Sequence, residues 1–302
     1  MIGGLVEVME AGRHLAVHRG FLKVSDEGGE IGRVALDDIT ALILAGPQVT
    51  LSKALMVELA ERRAVIVTCG RNWHPVALTL PFDSHFESAG VLHDQIAASE
   101  PLRKRLWQAL VRAKIANQAQ VLKRYRPAHP ALDELDVLFR QVRSGDLDNR
   151  EAQAARHYWP ALMGSEFRRD RRAEGVNALL NYGYTVLRAA SARAACAAGL
   201  HPALGLHHKS RVNAFALIDD LMEPFRPMVD ACVREMKGEE VELGVPEKRR
   251  LAAVLQADMQ AERGLAPVIN CLARTAQSLV ASLRTRRPQL EIASIRPLDQ
   301  LI

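Results

Sequence analysis

Near Phe82 the residue vocabulary of this chain changes, and that change limits its architecture more than any single motif does. Before it, HLAVH (14–18), FLKVS (21–25), GRVAL (32–36), ITALILAG (39–46) and AVIVTCG (64–70) are short runs rich in β-branched residues, cut by Gly, Asp and Asn, the pattern of strands joined by turns. Between the last two, residues 52–63 carry Leu55, Met56, Leu59 and Ala60 at helical spacing behind Ser52 as a cap. Residues 74–80 read as one more strand. Beyond Phe82 the chain turns to Ala, Leu, Arg and Gln, and strand signals all but vanish. The expected helices span 87–125 with a break near Pro101, then 131–143, 149–163, 176–198, 212–237 disturbed at Pro224 and Pro227, 247–262, and 267–283. The fold class is therefore α+β, with a small β-rich domain containing one helix at 1–84 and a larger all-α domain at 85–302.

A length of 302 residues with 48% hydrophobic composition supports a sizeable core and favours two domains. The longest apolar runs, such as 39–45, are far below the ~20 residues that span a bilayer, so no membrane association is expected. Glu7 and Glu10 stand where a secretory leader would be basic and then apolar. Cys69, Cys196, Cys232 and Cys271 are too scattered to form a zinc or redox CxxC pair and read as reduced thiols of a cytoplasmic protein. A net charge of +5 suits a polyanionic partner without resembling a basic tail.

Candidate chemistry concentrates in residues 199–227, GLHPALGLHHKSRVNAFALIDDLMEPFRP, where histidines and acids interrupt an otherwise largely apolar run. Together Glu151, His208 and Glu223 make an imidazole-and-carboxylate set suited to one hard divalent ion and to phosphodiester chemistry. Each has a plainer reading. Asp148-x-x-Glu151 before a helix is also a capping pattern, and Asp220-x-x-Glu223 repeats it. Against the latter, Pro224 directly after Glu223 implies a disturbed helix. Spacing alone does not decide whether His207 or His208 faces a ligand.

Four blocks, EAQAARHYW (151–159), NALLNYGY (177–184), GLHPALGLHH (199–208) and DLMEPFRP (220–227), make the chain resemble the CRISPR-associated endonuclease and integrase that inserts new spacers during adaptation. That resemblance implies metal ligands at the opening glutamate of the first block, the final histidine of the third and the acid ending Asp-Leu-Met-Glu, which here are Glu151, His208 and Glu223. Members often carry aspartate at the last position, so Asp220, one turn earlier, is a further candidate ligand. The doubled histidine and the glutamate are similar to the type II form, whose effector is one large RNA-guided nuclease. The resemblance further implies Mg2+ or Mn2+ as cofactor, duplex DNA as substrate and a homodimer built through the N-terminal parts. It also implies a hetero-hexamer with a second, smaller adaptation protein.

Duplex DNA would need basic contacts near these residues. Arg168, Arg169, Arg171 and Arg172 form the densest cluster, and Lys248, Arg249 and Arg250 a second, although charge runs of this kind are usually solvated surface. Tyr158, Trp159, Tyr182 and Tyr184 read as core residues rather than a stacking platform. The alternative function is a non-catalytic DNA-binding scaffold of the same fold, against which an intact Glu151, His208 and Glu223 set argues.

Overall fold

The computed structural model describes residues 4–70, 75–81, 87–170, 172–208, 212–236 and 242–296. The N-terminal part runs β1 (Leu5–Val8), β2 (His14–His18), β3 (Phe21–Asp26), β4 (Gly29–Ala35), β5 (Ala41–Leu44), β6 (Thr50–Leu51), α1 (Lys53–Glu61), β7 (Val65–Cys69) and β8 (Pro75–Thr79). The helices that follow are α2 (Ser88–Ala97), α3 (Glu100–Tyr125), α4 (Ala131–Gln141), α5 (Arg150–Met163), α6 (Val176–Ala197), α7 (Ala216–Met222), α8 (Arg226–Met236) and α9 (Val245–Ala253). A hairpin of β9 (Asp258–Ala261) and β10 (Gly264–Pro267) then leads into α10 (Val268–Thr285). A β-rich N-terminal region thus precedes a mostly helical one.

Two four-stranded sheets form the N-terminal part. One has the order β1-β5-β7-β8, parallel except for β8, and the other β4-β3-β2-β6. Period-two alternation explains why the first sheet is buried on both faces. Val6, Val8, Leu42 and Ile66 point into a core shared with Leu15, Leu22, Leu55 and Leu59. Their neighbours Leu5, Ala41, Ile43, Val65 and Val67 point the other way, into the core of the helical part. Packing is therefore continuous across the boundary expected at residue 84.

Local signals placed most elements. Ser52 caps α1 by accepting the Leu55 N–H at 3.2 Å, and Ser99 caps α3 at Leu102. Pro101 lies in the first turn of α3, where its missing N–H has no helical partner to lose, so the break falls before it.

His74, expected in a strand, lies outside the described residues. Three expectations need correction. Strands β1 and β6 lie outside the strand-like runs read from sequence. The helix expected over 247–262 ends at Ala253, and the hairpin takes its place. Met259 and Ala261 alternate inward along β9, and Gly264 turns the chain at φ +105°. Finally, the helix expected from Val212 begins at Ala216.

Candidate active site

The site is built where the helix after the histidine loop breaks. α7 ends at Met222, Glu223–Phe225 form a 3-10 turn, and α8 resumes at Arg226. Pro224 cannot donate to the helical ladder, which accounts for the break. The carbonyl of Pro224 is taken by Asn117 Nδ2 of α3 at 2.8 Å. This geometry aims Glu223 inward, with only 4% of its surface exposed.

Glu151 arrives on the first turn of α5, whose capping is carried by other residues. Asp146 accepts the N–H groups of Arg150 and Glu151 at 2.8 and 3.1 Å, and Asn149 accepts that of Ala152. Asp148 pairs with Arg143 instead. The Glu151 carboxylate is thus free of the capping role that its spacing suggested, and it takes Lys114 Nζ at 2.5 Å.

The imidazole comes from the loop between α6 and α7. Asp220, fully buried on α7, gathers that loop with a single carboxylate. Its Oδ2 accepts the N–H groups of Leu206 and His207 at 2.7 and 3.0 Å, and its Oδ1 meets His208 Nδ1 at 2.5 Å. Gly205 is required there, because a Cβ would lie 2.5 Å from the His208 carbonyl oxygen and 3.0 Å from Asp220 Oδ2. The two histidines are separated by packing. His207 stacks on the buried indole of Trp107, with ring centroids 4.5 Å apart and planes 7° from parallel. His208 instead lines a cavity of about 500 Å3 together with Glu151, Glu223, Lys114, Arg169 and Arg188.

Lys114 of α3 was missed in the sequence. Its Nζ lies 2.5 Å from Glu151 Oε1 and 2.5 Å from Glu223 Oε2, while Arg226 Nη2 holds Glu223 Oε1 at 3.0 Å. Burial alone would raise the Glu223 carboxyl, but Arg226 and then Lys114 outweigh it and hold it below the usual carboxylate range. Burial likewise opposes the Lys114 ammonium, and Glu223 with Glu151 overcomes it, so the amine stays charged beyond the ordinary lysine range. The hydrogen bond from Asp220 raises His208 above its ordinary value against partial burial, with smaller help from the Asp220, Glu223 and Glu151 charges. A signal for Lys114 existed: it follows Trp107, Leu110 and Val111 on the buried face of α3, where a lysine is exceptional.

The expected residues therefore share one cavity, though among the described residues no three His, Cys, Asp or Glu side chains stand close enough to hold one ion together. Lys114 occupies the space between the two glutamates. Asp220 sits one step behind His208, both its oxygens engaged.

The basic candidates divide. Arg169 lines the cavity, bonded to Asn177 and Asn181 and lying over the Tyr184 ring at 5.5 Å. Arg168 and Arg172 are exposed, and Arg171 lies outside the described residues. Arg249 and Arg250 are exposed, but Lys248 is a correction. At 3% exposure it is buried against the N-terminal sheet, 4.0 Å from Glu7 and over the Tyr182 ring, out of reach of a phosphate. Tyr158 and Tyr182 are core residues, as expected. Tyr158 and Tyr184 both donate to buried Asp230 behind the site.

A model of the family described as "CRISPR associated protein Cas1" matches residues 6–241. The chain belongs to the Cas1 family. It is 36% identical over 297 residues to the CRISPR-associated endonuclease Cas1 of Neisseria meningitidis serogroup C (strain 8013), covering 97% of each chain. Among solved structures, a casposase bound to integration product superposes with a TM-score of 0.78 at 20% identity, over 95% of this chain and 92% of that one. A Cas6-RT-Cas1–Cas2 complex gives a TM-score of 0.78 at 19% identity, over 96% of this chain and 36% of that one. At these identities the structural matches establish a shared Cas1 fold. Among the described residues no helix is long and apolar enough to cross a membrane.

Proposed function

We propose that this Cas1 chain is a divalent-metal-dependent DNA endonuclease and integrase that inserts new spacers into a CRISPR array by phosphodiester transesterification. The observation that carries this reading is the meeting of Glu151, His208 and Glu223, from three separate elements, around one cavity beside the cationic Arg169. Carboxylate and imidazole donors are of the type that suits Mg2+ or Mn2+. The carboxylates already accommodate a cation in Lys114, and Asp220 on His208 Nδ1 leaves Nε2 as the ring nitrogen for a ligand. When bound, such an ion supplies Lewis acidity to a scissile phosphate.

The residues of the chain do the rest. Asp220 fixes the tautomer and direction of the His208 ring. Arg226 holds one oxygen of Glu223 at the helix break, and the other oxygen is left to Lys114. Arg169 offers a guanidinium to a DNA phosphate. In strand transfer a DNA 3'-hydroxyl oxygen forms the new bond to phosphorus and the bridging 3'-oxygen leaves, so one ester replaces another. With water as nucleophile the same exchange is cleavage. Duplex DNA, a homodimer and a smaller adaptation protein as partner complete the proposal; the solved Cas1–Cas2 assembly of like fold supports the last.

The test is strand transfer of a 3'-hydroxyl duplex into a repeat-bearing plasmid with Mn2+. His208→Ala is expected to abolish product while leaving the fold and DNA binding intact. Transfer by that variant would overturn the assignment, and a wild-type chain that binds DNA yet never cuts or joins it would favour the scaffold reading.

A further inference from the structure

Lys114 is an unusual resident for a site that would take a divalent cation. Its side chain is 10% exposed and its ammonium contacts one oxygen of each glutamate at 2.5 Å. The second oxygen of Glu223 is committed to Arg226. The carboxylate oxygens that would grip a metal are therefore already gripping a cation that the protein itself provides.

Charge bookkeeping decides what happens when a metal arrives. Glu151 and Glu223 carry two negative charges, and Lys114 with Arg226 carries two positive ones, so the cluster is balanced. Adding a divalent ion beside Lys114 would leave two uncompensated positive charges in a largely buried place, which is costly. Exchanging the ammonium for the ion leaves one. Exchange also frees the Glu223 oxygen that Lys114 holds, and a lysine stem is long and flexible enough to carry its head into the cavity without moving α3.

We propose that Lys114 is a positioning residue that acts as a tethered counter-ion of the metal centre. It holds Glu151 and Glu223 together before metal binds and gives up its place when metal enters. This inference rests on the metal-centre reading above. Its consequence is that Lys114 weakens metal binding by competition while keeping the two glutamates, which come from distant segments, in register.

The experiment is calorimetric titration of Mn2+ into the full-length wild type and Lys114→Met at fixed ionic strength and pH, with Glu223→Gln as a control that removes a ligand. Lys114→Met is expected to bind Mn2+ about tenfold more tightly, since at least one charge-assisted contact no longer has to be broken. Its melting temperature is expected to fall without metal and to recover with Mn2+ by more than that of the wild type. Equal or weaker affinity in Lys114→Met overturns the exchange while sparing the metal centre; absence of Mn2+ binding by both proteins overturns both. Should Lys114→Met fail to fold, acetylation of the wild-type chain followed by mass spectrometry reads the same event. Lys114 should be labelled faster with Mn2+ than without, and an unchanged rate refutes the proposal.

Discussion

Replacing Asp220 by Asn separates the two tasks of one buried carboxylate. The amide is isosteric but keeps a single acceptor oxygen. It can satisfy the Leu206 and His207 N–H groups, now 2.7 and 3.0 Å from Oδ2, or it can face His208 Nδ1, but not both. Two backbone donors, one buried and one part-buried, outweigh one half-buried ring, since each left unpaired costs up to about 1–3 kcal/mol. The amide oxygen therefore stays on the loop and its NH2 turns to His208. That NH2 donates, so Nδ1 must accept, and the imidazole proton moves to Nε2, where it blocks a ligand. Stability should fall only by the difference between charged and neutral hydrogen bonds, about 2 kcal/mol. Mn2+ affinity should fall roughly 10–100-fold. Asp220→Ala reverses the balance, leaving both backbone donors bare at about 2–6 kcal/mol in sum. Chemical denaturation measures the stability terms, calorimetric Mn2+ titration the affinity, and nitrogen NMR of the labelled imidazole the tautomer. An Asp220→Asn protein that keeps Mn2+ affinity within about threefold of wild type, with the ring proton still on Nδ1, refutes the reasoning.

Lys248→Ala should cost about 2–3 kcal/mol by removing the buried cation 4.0 Å from Glu7, which then keeps the Tyr182 hydroxyl, and should leave the salt dependence of DNA binding unchanged. Removing the charge of Arg249 or Arg250 should lower that slope by about one wherever the residue contacts phosphate. Gly205→Ala should weaken Mn2+ binding while helix content by circular dichroism holds, because the new Cβ would displace the His208 carbonyl and Asp220. Burial raises the Asp230 carboxyl to about 6, against hydrogen bonds from Tyr184 and Tyr158. Between the unfolded value of 3.8 and about 6 the folded state therefore holds a proton that the unfolded state has lost. Stability should decline by roughly 3 kcal/mol as pH rises through that window, at about 1.4 kcal/mol per unit. Asp230→Asn should flatten the decline in denaturation measured from pH 4 to 7, and an unchanged slope would exclude Asp230 as its source.

Local patterns announced local structure: the cap at Ser52, the short β-branched runs that became β5 and β7, and Pro224 as the mark of a broken helix. The short hairpin at 258–267 was hidden because four-residue strands carry too little periodicity to outweigh the helical residues around them. Resemblance to a known family named Glu151, His208 and Glu223, whereas their convergence is a property of the packed helices. Lys248 misled because a lysine in a basic run looks solvated, and only the tertiary fold supplies Glu7 and Tyr182 from far along the chain.

The polar residues on the buried face of α3 show why such partners stay hidden. Lys114, Asn117 and Gln118 interrupt an apolar stripe and, read locally, weaken the case for burial. Lys114 and Asn117 have partners more than a hundred residues away. Lys114 meets Glu223, while Asn117 takes the carbonyl freed at Pro224 and accepts the Ile295 N–H at 2.9 Å. A break in one helix thus requires polar side chains at buried positions of another, because a carbonyl freed inside the core must be paired. One helix therefore steadies both the acid and the distorted backbone that presents it. Disturbing Asn117 should loosen the site from behind without touching any residue that lines it.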